Sequence, residues 1–202
     1  MNMIKNLIFD FGKVLVDYDF ERFFSMHIAD EKRRDELFRI MCCGDLQEEL
    51  DKELTDFDNI VDAFILKHPD FEPEIRIFQA CYEDVVTGEV EGMRQLLIRL
   101  KSAGYKLYGL TNWCSKVHNT MRQYDIFRLL DGQVVSSEEH VIKPDPEIYQ
   151  ILMNRYHLLP SESVFTDDKL ENVDAAIALG MYGIHFQNAI QYEKELGKIV
   201  NM

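Results

Sequence analysis

Five short apolar runs alternating with helical patterns constrain this chain more than any other feature. They fall at 6–11, 105–110, 133–136, 163–166 and 182–186, each the length of a buried strand. Between the later runs the helix signals are clear. Val90, Met93, Leu97 and Leu100 recur at helical spacing over 89–103, and Gly104 follows as a C-terminal cap. Asp145 then Pro146 read as N-cap and first helical residue of a segment with Ile148, Ile151 and Leu152 on one face. Val173, Ala176, Ile177 and Gly180 mark a third helix. Strand–helix–strand repetition predicts an α/β fold, a Rossmann-like parallel sheet flanked by helices.

One interval breaks this rhythm. From 17 to 87 no convincing strand is visible, only helix-like segments at 20–29, 31–43, 57–67 and 73–86, divided by Asp30, Gly44-Asp45, His68-Pro69 and Gly88. About seventy residues of helix entering after the first strand predict a small inserted bundle. The expected organisation is therefore a core of 1–16 and 88–202 with a helical cap of 17–87. Both ends of the insertion must leave the sheet near Asp10, which makes the bundle a lid over that position.

The 202 residues suffice for a substantial core. Lys plus Arg number 22 against 36 Asp plus Glu, a formal net charge of −14. That repels nucleic acid and anionic membranes over most of the surface, so neither is an expected partner. A small anionic substrate stays compatible where a lysine or a metal ion reverses the field locally. No uncharged stretch approaches the roughly 18 residues that span a bilayer, and the N-terminal segment lacks a signal-peptide pattern. Cys42, Cys43, Cys81 and Cys114 show no metal-type spacing. Their expected state is a free, structural thiol in a cytoplasmic protein.

In an open parallel sheet, ligands bind beyond the carboxyl ends of the strands. The first run ends at Asp10 and the second at Thr111-Asn112-Trp113. Lys143 follows the third, and Asp167-Asp168, with Asn172 shortly after, follow the fourth. Clustered carboxylates call for a cation, and all-oxygen ligation suits Mg²⁺. A phosphate held there would need donors, which Thr111, backbone N–H groups beside Asn112 and Lys143 can supply. Asp10 is then placed to attack phosphorus and form an aspartyl-phosphate. Singly, each signal has a plainer reading: Asp10 as a turn former, Asp167-Asp168 as helix caps, Lys143 as a solvated loop residue. Their order, each after a predicted strand, selects the catalytic one. Trp113, Cys114 and the Cys43-Gly44-Asp45 turn are further candidates to line the pocket. There is no HExxH, GxSxG, Walker loop or GxGxxG.

The segments FDFGKVLVD, LTN, KPDPEIY and FTDDKLEN, in this order, resemble the four motifs of the haloacid dehalogenase superfamily over nearly the whole chain. With Gly12, the first is similar to the phosphatase branch that includes bacterial α-D-glucose-1-phosphate phosphatase. The resemblance implies Asp10 as nucleophile and Mg²⁺ held by Asp10, Asp168 and the Gly12 carbonyl, with Asp167 beside the metal. It also implies Thr111, Asn112 and Lys143 on the phosphate of a small phosphorylated metabolite.

Most phosphatases of that superfamily carry an aspartate two residues after the nucleophile as general acid and base. Gly12 can be neither, and such catalysis contributes roughly 10²–10⁴-fold, about 3–5 kcal/mol. Three outcomes are open: a substrate whose leaving group needs little help, such as a sugar 1-phosphate; a surrogate acid, Asp17 or Asp19 being nearest; or a catalytically weak phosphate-ester-binding protein. A 2-haloacid dehalogenase is a further alternative, against which the paired Asp167-Asp168 argue.

Overall fold

The structure, a computed structural model, describes residues 3–42 and 44–200. Strands β1 (Asn6–Phe9) and β2 (Val16–Tyr18) come first. Helices α1 (Phe20–His27), α2 (Glu31–Cys42), α3 (Leu46–Lys52), α4 (Phe57–Lys67) and α5 (Glu72–Ala80) follow. The chain then returns through β3 (Val86–Glu89), α6 (Met93–Ser102), β4 (Lys106–Thr111), α7 (Val117–Gln123), β5 (Gly132–Val135) and the single turn α8 (Ser136–Glu139). It finishes with α9 (Pro146–Tyr156), β6 (Ser163–Asp167), α10 (Leu170–Ala178), β7 (Tyr182–His185) and α11 (Ala189–Val200).

The predicted parallel sheet is present, in the order β5-β4-β1-β6-β7. Side chains alternate across it as a pleated strand requires. Leu7 and Phe9 of β1 join a cluster with Leu96, Leu97, Tyr192 and Leu196 on one face. Ile8 joins Leu110, Phe165, Ile148, Tyr149 and Leu152 on the other. Helices thus cover both faces, as such sheets need. Asp145 caps α9, accepting from Glu147 N at 2.9 Å, and Gly104 and Gly180 close the ends of α6 and α10 at φ +96° and +89°.

The interval from 17 to 87 departs from expectation at both ends. Its entry and exit form an antiparallel ribbon, with Val16 opposite Glu89 and Asp17 opposite Gly88. Strands of three and four residues carry no periodic signal of their own, because pairing alone makes them strands. For the same reason α6 starts at Met93 and not at 89, and α5 ends at Ala80, followed by a 3₁₀ turn at Tyr82–Val85. Helix α3 was not foreseen. Phe23, Leu37, Leu50, Val61, Ile75 and Phe78 pack the helices together, and their cluster runs without a break into the sheet face under Phe9. Among the described residues, no helix is long and apolar enough to cross a membrane.

Candidate active site

Asp10 stands immediately after β1, and its own N–H still bonds Thr166 O at 2.9 Å, so the carboxylate is fixed at the sheet rim. Across from it, Lys143 Nζ lies 2.9 Å from Asp10 Oδ1 and 2.7 Å from Asp167 Oδ2. The ammonium also donates to Leu110 O at 2.9 Å, which uses its three hydrogens. Only 3 % of Lys143 is exposed. Burial works against its charge, but the two carboxylates outweigh that and hold it above the ordinary lysine range.

The acids differ in their freedom. Asp167 is fully buried and committed: it accepts from Lys143, from Lys169 N at 2.8 Å, and from Asn172 Nδ2 at 3.0 and 3.1 Å. Asp10 is pushed up to about 7 by burial, opposed by Lys143 and reinforced by Asp167 and Asp168. Asp168 is half-buried and is likewise raised, by burial and then by Asp167. One carboxylate oxygen from each of the three lies within 4.8 Å of the others.

Of the predicted phosphate ligands, Thr111 is buried at the end of β4, and its hydroxyl has no hydrogen-bond partner among the described residues. Asn112 is engaged differently. Its carboxamide accepts from Lys143 N at 2.8 Å and donates to Lys143 O at 2.9 Å, clasping the lysine's own peptide. Its side chain therefore aims Lys143 and has little left for a ligand. Magnesium fits this set on two grounds: three carboxylates face a single ammonium, and a buried hydroxyl is left unpaired for an incoming oxygen.

Asp10, Asn112, Lys143 and Asp168 open into one cavity of about 350 Å³, while Thr111 and Asp167 are buried and do not line it. Its floor carries Asp10, Gly12, Asn112, Lys143 and Asp168, and its roof comes from the region 17–87 through Phe20, Cys42, Gln47, Asp51, Tyr82 and Val85. Tyr18 and Trp113 line the side, their rings in an edge contact with centroids 6.4 Å apart. Cys114 lies behind this wall; burial pushes its thiol up to about 12, which makes it a neutral packing group. Cys42, Cys81 and Cys114 are not in disulfide bonds, and Cys43 falls outside the described residues. Gly44 and Asp45 are exposed and stand away from the cavity wall, with Cys42 and Gln47 lining it on either side of them.

Neither proposed surrogate acid reaches the cavity. Asp17 is exposed and paired with Lys13 at 2.5 Å, and Asp19 caps α1 by accepting from Arg22 N at 2.7 Å. The place where a side chain at position 12 would grow is already taken. A Cβ on Gly12 would lie 2.8 Å from Tyr18 Cε1.

Asp51, Gln47, Tyr18 and Tyr82 are cavity residues that the sequence reading missed. A signal for α3 existed: Leu46 and Leu50 are spaced i, i+4 and both buried, and Glu48 pairs with Lys52 at the same spacing.

Comparison with known proteins gives a consistent picture. The family model for haloacid dehalogenase-like hydrolases matches residues 4–180. The sesquiterpene phosphatase astK of Aspergillus oryzae is 36% identical over 109 residues, 54% of this chain. The match spans only 56% of that protein's length. The D-ribitol-5-phosphate phosphatase of Bacteroides thetaiotaomicron is 26% identical over 98% of this chain and 100% of its own. A haloacid dehalogenase (HAD) family enzyme from the same bacterium, solved in complex with magnesium and inorganic phosphate, superposes with a TM-score of 0.70. That likeness, at 21% identity over 92% of this chain and 96% of the other, is one of fold.

Proposed function

The chain belongs to the haloacid dehalogenase-like hydrolases, and on that premise we propose that it is a Mg²⁺-dependent phosphomonoester hydrolase for a small phosphorylated metabolite. The observation that carries this reading is the Asp10–Lys143 pair at 2.9 Å, set in a cluster of three carboxylates beside the unpartnered Thr111 hydroxyl.

Asp10 is the nucleophile. One of its carboxylate oxygens bonds phosphorus as the ester oxygen departs, and water then cleaves the aspartyl-phosphate to regenerate the acid. Lys143 neutralises charge on the transferring group, and Asn112 holds that lysine in line. The Thr111 hydroxyl donates to a phosphate oxygen. Asp10, Asp168 and the Gly12 carbonyl would hold Mg²⁺, with Asp167 behind them keeping Lys143 charged. The ion, when bound, supplies Lewis-acid polarisation of the phosphoryl oxygens. Residues 17–87 act as a cap on a core of 1–16 and 88–202, closing over the ester and excluding competing water.

The cavity bounds the substrate. Tyr18, Phe20, Tyr82 and Trp113 offer aromatic surface to the leaving part. A sugar 1-phosphate fits the missing side chain at position 12, because an anomeric oxygen leaves more readily than a simple alkoxide. The phosphatase names of the relatives support the reaction class without choosing the ester.

Phosphate release from a panel of monoesters, α-D-glucose 1-phosphate included, tests the reading. Turnover should require Mg²⁺, stop with EDTA and disappear in Asp10→Asn. Halide release from 2-haloacids without added metal would overturn it in favour of dehalogenation. Tight ester binding without turnover, unchanged in Asp10→Asn, would make the protein a binder.

A further inference from the structure

Expulsion of an alkoxide from phosphorus is eased by a proton, and among the described residues the floor of the cavity offers no uncommitted carboxylic acid. Asp168 is one of the groups that would hold Mg²⁺, and Lys169, the other titratable group lining that side, is an ammonium and a far weaker acid. Asp10 is the attacking group, Asp167 is saturated with donors, and the hydrogens of Lys143 are taken by two carboxylates and a carbonyl. Gly12 has no side chain, and Tyr18 fills the space above it.

The roof holds a different acid. Asp51 lines the cavity from the last turn of α3, and its carboxylate makes no hydrogen bond or ion pair with any described residue. Its backbone, in contrast, is pinned. Ser136 Oγ donates to Asp51 O at 2.5 Å while accepting from Trp113 N at 3.0 Å. Next along the chain, Lys52 O is 2.9 Å from His140 Nδ1. The Glu53 carboxylate then accepts from Ser115 N at 2.5 Å and from Ser115 Oγ at 2.7 Å. Three consecutive residues are thus fastened to the core, and a side chain on an element held this way keeps its direction.

Resting on the phosphatase reading, we propose that Asp51 is the general acid and base of this site, supplied from the roof. In the first half-reaction the Asp10–phosphorus bond forms, the phosphorus–ester oxygen bond breaks, and the Asp51 proton passes to the departing oxygen. In the second, the Asp51 carboxylate takes one proton from water as the water oxygen bonds phosphorus and the Asp10–phosphorus bond breaks. Both acids return to their starting states. Burial supports the assignment by pushing Asp51 up to about 7, with Lys169 and Lys143 lowering it and Asp10 and Glu48 raising it. An acid in that range exchanges its proton near neutral pH.

The test compares kcat/KM for two esters in wild type and Asp51→Asn: 4-nitrophenyl phosphate, whose leaving group needs little protonation, and a simple alkyl phosphate, whose leaving group needs much. The aryl-to-alkyl ratio should rise on the order of 10²-fold in Asp51→Asn. Asp45→Asn, at the start of the same helix, exposed and away from the cavity wall, should keep the wild-type ratio. A ratio is independent of the fraction of folded enzyme, so partial unfolding cannot imitate the effect. A wild-type ratio in Asp51→Asn would overturn the proposal, however far both rates fall. A wild type that hydrolyses neither ester would remove the phosphatase reading and this proposal together, before any substitution is made.

Discussion

Adding one methyl group at Gly12 tests the central steric claim about this site. Its Cβ would sit 2.8 Å from Tyr18 Cε1, whereas carbons in contact prefer about 3.5–4.0 Å. The ring has little room to withdraw. It packs edge-on against Phe20 and Trp113 at centroid distances of 5.7 and 6.4 Å, and Lys13 Nζ lies 4.6 Å from its centre. Overpacking of this kind costs about 1–3 kcal/mol. Against that, Gly12 is outside the left-handed region, so alanine gains about 0.4–1 kcal/mol from the unfolded chain. Gly12→Ala should therefore destabilise the wild type by roughly 0.5–2 kcal/mol, yet be neutral or stabilising in a Tyr18→Ala background. The difference is a coupling energy of about 1–3 kcal/mol, read from urea denaturation of the four proteins. Additivity within about 0.5 kcal/mol would refute the reasoning. It would mean that Tyr18 does not own the space, and that an acid at position 12 was excluded for some other reason.

Two further outcomes follow from the buried charges. Lys143→Met leaves Asp10 and Asp167 buried without their cation, so metal-free stability should fall by about 3–5 kcal/mol at pH 8; a loss below about 1 kcal/mol in chemical denaturation would show that the pair is not buried as described. Asp51 is raised from 3.8 to about 7 on folding, so the folded state binds its proton more tightly than the unfolded state. Its stabilising contribution is complete below about pH 4 and lost as pH rises through 7, with a ceiling of about 4 kcal/mol. Asp51→Asn should accordingly gain stability relative to wild type as melts are taken from pH 5 to pH 8, and a constant difference would contradict the burial of that carboxylate.

The parts of the fold legible in the sequence are those where local pattern and tertiary role coincide. Buried parallel strands write themselves as apolar runs, so all five strands of the sheet were placed to within a residue or two. Asp145-Pro146 and Gly104 announced their helix ends for stereochemical reasons that need no tertiary context. The β2–β3 ribbon had no such voice. Val16 and Glu89 are strand residues only because the chain leaves and re-enters the core at one point, a fact about pairing across more than seventy positions.

The same division runs through the site. The candidates Asp10, Thr111, Asn112, Lys143, Asp167 and Asp168 converge as the strand order predicts, because a parallel sheet brings its strand ends to one rim and turns positions far apart in sequence into neighbours. A surrogate acid must be near Gly12 in space, and nearness along the chain, which singles out Asp17 and Asp19, does not provide that. Those two are near in sequence, yet one pairs with Lys13 and the other caps α1. Asp51 lies on a helix whose seven residues carry two buried leucines, too short a pattern to declare itself. What makes Asp51 a candidate is the set of contacts from Ser115, Ser136 and His140, in segments more than sixty residues onward. Tyr18 completes the logic: by filling the space over Gly12 it denies that position a side chain, so an acid for the departing oxygen has to come from another element, as proposed for Asp51 in the roof.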